Sequence, residues 1–105
     1  MENFDHQIVR EFRDRLDAMM PVLDLRVFGS RARGNAQEDS DLDIFLKVPE
    51  LDRPLREQIY DLAWEIGFKY DRIISTFVVT EDQITAGAVG ASPVLAKILE
   101  EGIAV

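Results

Sequence analysis

The chain contains no cysteine. Disulfides, zinc–thiolate sites and a cysteine nucleophile are therefore excluded. Histidine occurs once, at His6, on an expected first helix near the terminus, where a solvated surface position is the expectation. Basic residues are in deficit: 12 Lys and Arg stand against 20 Asp and Glu, a net charge of −8. General nucleic-acid binding and binding to an anionic membrane both need a basic footprint, so neither is expected. A small polyanion held through a metal is still compatible with that charge. Apolar runs are only a few residues long, too short for a helix that spans a bilayer. The opening residues MENFDHQ are too acidic and polar for a signal peptide, which makes a cytoplasmic location the expectation. What is present is an ordinary globular composition, 47% hydrophobic and 30% charged over 105 residues. That length suits one domain over residues 1–105, with no repeat, low-complexity tract or linker.

Hydrophobic spacing predicts the elements. Phe4, Ile8, Phe12, Leu16 and Met19 or Met20 recur at intervals of three and four, a helix over 3–20 with Asn3 as N-cap and Pro21 at its end. Residues 22–28 alternate, with Leu23, Leu25 and Val27 apolar, a strand that stops at Gly29-Ser30. Residues 31–40 hold turn formers and predict a short helical turn plus loop. Residues 41–48 form a strand of marked period two. Leu42, Ile44, Leu46 and Val48 point one way; Asp41, Asp43, Phe45 and Lys47 point the other. A second helix covers 54–66, with Leu55, Ile59, Leu62, Ala63 and Ile66 on one face and Gly67 after its end. Trp64, Phe68 and Tyr70 cluster around that end and are expected to pack into the core. Residues 71–79 are β-branched and aromatic, a third strand. Thr80 to Gln83 matches a capping box, and Ser92-Pro93 opens a last helix closed by Gly102. The order predicts an α/β (α+β) domain, a small sheet covered by helices.

The chemistry concentrates in residues 29–43. Gly29-Ser30 after a strand, opening a helical turn, presents backbone N–H groups and a hydroxyl at a positive helix end, a geometry that suits phosphate. Arg31 and Arg33 add cationic charge. Asp41 and Asp43 are two apart on a strand, so their carboxylates leave one face with Cα atoms roughly 7 Å apart. Such a pair stays ionised cheaply only with a cation between its members. Mg²⁺ takes oxygen ligands and keeps company with substrate phosphates. A phosphate-binding turn facing an Asp-x-Asp strand is thus an arrangement for Mg²⁺ and a nucleoside triphosphate.

GSRARG followed by SDLD resembles the G-S-x-x-x-G … [ST]-D-x-D signature of the polymerase-beta-type nucleotidyltransferases, and in particular their minimal members. The resemblance extends over most of the chain, to a final helix ending in Glu101, Gly102 and Ile103. It implies a small mixed sheet with helices packed on one face and the site on the other. It further implies transfer of a nucleoside monophosphate, AMP from ATP above all, to an acceptor hydroxyl with release of pyrophosphate, with Mg²⁺ or Mn²⁺ as cofactor. Gly29 and Ser30 match the triphosphate-contacting pair, and Ser40 falls in the same signature. Arg31 and Arg33 lie in its variable part as further nucleotide-binding candidates. Asp41 and Asp43 match the metal-binding carboxylates. A third carboxylate on a neighbouring strand is usual in active members. Asp71, at the start of the expected third strand, is the only acidic candidate there, while Ser75, a poor base, is the alternative occupant of that place. Larger relatives add a domain that grips the acceptor, and 105 residues leave no room for one, so a protein partner is expected to supply or be the acceptor. The resemblance suggests a small helical HEPN-type toxin as that partner, with this chain as its antitoxin. An alternative is a non-catalytic module that keeps the fold and acts by occluding its partner.

Overall fold

The computed structural model describes residues 1–34 and 41–105. The chain runs α1 (Asn3–Asp17), β1 (Asp24–Phe28), α2 (Gly29–Arg33), β2 (Leu42–Val48), α3 (Arg53–Tyr70), β3 (Ile74–Thr80), α4 (Glu81–Ala86), a 3-10 turn (Ala88–Ala91), α5 (Pro93–Glu101) and β4 (Ile103–Ala104). The strands form one mixed sheet in the order β3-β2-β1-β4. β1 pairs antiparallel with both β2 and β4, and β2 pairs parallel with β3 across the α3 crossover.

The alternation in β2 sets the layers. Leu42, Ile44, Leu46 and Val48 are fully buried with Leu25 and Val27 of β1 against Ile8, Val9, Phe12 and Leu16 of α1 and Ile59, Leu62, Ala63 and Ile66 of α3. This is the main core, and the two long helices cover that face as expected. On the opposite face a smaller cluster of Phe45, Val79, Leu95 and Ile98, joined by Phe28, Phe77 and Ile84, seats α5 over part of the sheet. The Thr80–Gln83 capping box forms in both directions and starts α4. Among the described residues no helix is long and apolar enough to cross a membrane.

Local departures from the expected elements have physical causes. The N-cap of α1 is Glu2 rather than Asn3, and the helix ends at Asp17 before a turn that buries Met20. Phe4 sits at the edge of the helical face, half-exposed and edge-on to Tyr70 at 5.8 Å, while Asp5 takes the inward place. Leu23 is exposed, so β1 begins at Asp24. Gly67 does not end α3 but lies buried within it. A Cβ there would meet the Arg72 carbonyl oxygen at 2.5 Å, so the glycine permits the close return of the chain toward β3. The helix closes instead on Asp71, whose φ of 55° is left-handed, a conformation aspartate tolerates. Trp64 and Phe68, expected in the core, are 75% and 82% exposed. They lie on the outer surface of α3, away from the sheet, and only Tyr70 of that trio is partly buried.

Candidate active site

Phe28 at the end of β1 pairs with Asp43 of β2, so the chain leaving β1 turns beside that carboxylate. The turn residue is Gly29, at φ 75°. A Cβ on Gly29 would lie 2.5 Å from Asp43 Oδ2, so both the backbone conformation and the contact demand glycine. The turn leads through the half-buried Ser30 into α2, which closes on Gly34 at φ 78°. Gly29 is thereby brought against Asp43, with Ser30 next to it in the chain.

The Asp43 carboxyl is partly buried. Desolvation pushes its pKa above the usual carboxylate value, the negative charge of Asp41 pushes the same way, and the positive charge of Arg33 opposes both. This carboxylate gains most from a cation placed beside it. Among the described residues no group of three or more His, Cys, Asp or Glu gathers to hold a metal. Among the described residues, the carboxylates whose charges meet at this end of β2 are Asp41 and Asp43. A pair fits Mg²⁺, which takes one or two carboxylates and completes its shell with waters and phosphate oxygens.

On the other side Asp43 pairs with Ser75 of β3. Paired residues on adjacent strands leave the same face about 4.8 Å apart. The exposed Ser75 hydroxyl thus occupies the position beside Asp43. Asp71 lies before β3, on the left-handed cap of α3, with its N–H donating to the carbonyls of Gly67 and Phe68. The strand expected from residue 71 begins at Ile74 because α3 runs on to Tyr70.

The two motif arginines separate. Arg33 is exposed and its charge is felt at Asp43. Arg31, expected among the nucleotide contacts, is only 4% exposed and turns inward, where Nη1 donates to Asp5 Oδ2 at 3.3 Å. Ser40 lies outside the described residues. A cleft of about 120 Å³ adjoins the turn, lined by Phe28, Gly29, Arg33, Val94 and Lys97 among others. Lys97 was not anticipated, since a single lysine on a short helix carries no signal until α5 folds across the sheet. Asp5 did carry one: it falls on the α1 stripe, three and four residues before Ile8 and Val9. A larger groove of about 520 Å³ follows the outer side of α1. It lies on the far side of the sheet from Asp43, and its charges are paired, Arg10 with Asp14 at 3.7 Å and Arg15 with Glu65 at 2.7 Å.

Comparison with known proteins places this geometry among relatives. The family model of the nucleotidyltransferase domain matches residues 9–105. A Methanocaldococcus jannaschii protein, provisionally named a protein adenylyltransferase, is 32% identical over 79 residues, 74% of each chain. A solved structure provisionally described as a minimal nucleotidyltransferase superposes with a TM-score of 0.61 at 29% identity, over 100% of this chain and 97% of that one. A toxin-antitoxin crystal structure with AMP-PNP gives a TM-score of 0.59 at 22% identity, over 95% of this chain and 70% of that one, a likeness of fold.

Proposed function

The chain belongs to the nucleotidyltransferase domain family, and from that premise we propose that it transfers a nucleoside monophosphate, AMP from ATP, to a hydroxyl on a protein acceptor. The single observation that carries this is the packing of Gly29 against Asp43. It joins a phosphate-binding turn to a desolvated, like-charge-repelled carboxylate. In the proposed reaction the acceptor hydroxyl oxygen attacks the α-phosphorus and gives up its proton to solvent, the bond from the α-phosphorus to the α–β bridging oxygen breaks, and pyrophosphate leaves with that oxygen. Asp41 and Asp43 would hold Mg²⁺ or Mn²⁺, which would supply charge neutralisation to the phosphates. Ser30 and the N–H groups at the start of α2 hold the outer phosphates, and Arg33 and Lys97 put positive charge into the adjoining cleft, which Glu101 also lines. The proposed phosphate and carboxylate sets omit Arg31, which is buried against Asp5, and Asp71, which caps α3. The proposed acceptor is a small helical partner of the HEPN type, which the acidic surface of this chain suits if the partner is basic.

ATP labelled on the α-phosphate, Mg²⁺ and candidate proteins test the proposal. Label transfer by the wild type that disappears in Asp43→Asn supports it. Absence of both transfer and Mg²⁺–nucleotide binding overturns it.

Ser75 favours a second reading, an antitoxin-like binding module with little or no catalysis. A serine beside Asp43 supplies no base of suitable pKa to the acceptor hydroxyl. Ser75→Asp separates the two. Under the second reading, adding a carboxylate raises transfer at least about tenfold from a near-zero baseline, within the range of general-base effects. Wild-type transfer well above background and equal to that of Ser75→Asp counts against it.

A further inference from the structure

Asp5 is 1% exposed on the inward stripe of α1, among Ile8, Val9, Phe12 and Leu16. A buried carboxylate is costly unless paired, and two arginines converge on it. Arg31 Nη1 donates to Oδ2 at 3.3 Å, and Arg72 Nε lies 4.0 Å from Oδ1. Each arginine sits next to one boundary of the site. Arg31 follows Ser30 directly in α2. Arg72 precedes Ile73, whose carbonyl accepts the Leu42 N–H at 2.8 Å, and Leu42 lies between Asp41 and Asp43. A single carboxylate under the sheet therefore faces both segments that flank the acidic end of β2, hydrogen-bonded to Arg31 and within ion-pair distance of Arg72, whose Nε makes no hydrogen bond with Oδ1. Arg72 also lies over the Phe4 ring at 5.3 Å, which restrains it on the α1 side.

We infer that Asp5 is a positioning residue for the site. Through Arg31 it fixes the Gly29-Ser30 turn, and through Arg72 it fixes the approach to β3. Asp43 is thus held between Gly29 on one strand boundary and Ser75 on the other. The effect on nucleotide binding rests on the proposed transfer activity; the mechanical role does not.

Asp5→Asn removes the carboxylate charge that Arg31 and Arg72 face and lowers Tm, an outcome that a purely structural ion pair shares. The triple variant Asp5→Leu/Arg31→Met/Arg72→Met separates the roles, because apolar side chains of similar volume replace a whole buried ionic group with little loss of stability. With Tm near the wild-type value, amide hydrogen exchange over 29–33 and 42–43 is expected to quicken at least about tenfold, while 59–66 in α3 is unchanged. The dissociation constant for Mn²⁺–ATP is expected to rise about 10–100-fold, the usual scale for outer-shell partners. Wild-type exchange over both segments at wild-type Tm overturns the inference. Failure of the wild type to bind Mn²⁺–ATP sinks the transfer proposal instead, and the exchange comparison still decides the role of Asp5. Should the triple variant not fold, Arg72→Met alone cuts one arm only. It is expected to quicken exchange at 42–43 and 74–75 and to leave 29–33 protected; unchanged exchange at 42–43 and 74–75 overturns the inference.

Discussion

The two faces of β2 are built from alternate residues of one seven-residue strand, yet they are held in different ways. Leu42, Ile44, Leu46 and Val48 are fully buried under α1 and α3. On the other face Phe45 is buried beneath α5, while Asp43 and Lys47 remain partly open. The first face is fixed by apolar area, and the charges buried beside it, Asp5 and Arg31, are paired with each other. The second is covered far enough to strip water from Asp43 but not far enough to seal it. Asp43 is placed where its charge gains the fold nothing, which is the expected mark of a group kept for binding or chemistry.

That contrast is most directly challenged at Ile44. Ile44→Ala removes a fully buried side chain and is expected to lower unfolding free energy by about 2–5 kcal/mol, measured by urea denaturation. Nucleotide binding per folded molecule should be unchanged. Asp43→Asn, one residue away on the other face, should do the reverse. Transfer is expected to fall at least about a hundredfold, the scale of metal-assisted charge stabilisation, with no loss of stability. The sign follows from linkage. A carboxyl whose folded pKa is raised contributes stability that is full below the unfolded pKa and is lost as pH rises through the folded value. The Asn variant should therefore be more stable than wild type at neutral pH, with the difference vanishing below the ordinary carboxylate range. A variant less stable than wild type at pH 7 would erase the distinction between the faces.

Gly29→Ala probes the boundary between them. The new Cβ meets Asp43 Oδ2 at 2.5 Å on a backbone of φ 75°. The left-handed conformation alone costs about 1–2 kcal/mol, and displacement of the carboxylate should weaken Mn²⁺–nucleotide binding in the same variant. Thermal melts and calorimetric titration measure the two losses, and a loss of stability without a loss of binding would separate the turn from the carboxylate.

Much of this was legible in the sequence because period-two and period-3.6 patterns report burial directly. The β2 alternation, the α3 face and the Thr80–Gln83 box each reflect a local rule. The approach of Gly29 to Asp43 agrees with the motif's resemblance to a phosphate-binding turn beside an Asp-x-Asp strand. What was not legible depended on contacts between distant segments. Gly67 has the sequence mark of a helix end, and only the return of Arg72 past it shows why a glycine lies inside α3. Asp71 was displaced from the strand by that same extension. Arg31 and Arg33 are alike in the motif, and only the buried Asp5 on α1 separates the strut from the charge that faces Asp43.

The smallest effect is expected where the sequence pattern pointed to a large one. Trp64 and Phe68 are big apolar side chains beside a helix end, and burial of either would make its removal cost several kcal/mol. Their positions on α3 place them on the outer surface, opposite the Ile59, Leu62, Ala63 and Ile66 stripe. A ring already in water loses little apolar contact when truncated. Trp64→Ser is therefore expected to change stability by no more than about 0.5 kcal/mol, and its tryptophan fluorescence before substitution should show the red-shifted maximum of a hydrated indole. Denaturation of the variant at low protein concentration, where association between copies is absent, makes the measurement. A cost of 2 kcal/mol or more would show that the outer surface of α3 is packed in solution, and the division of the molecule into one buried sheet face and one working face would then need a third layer.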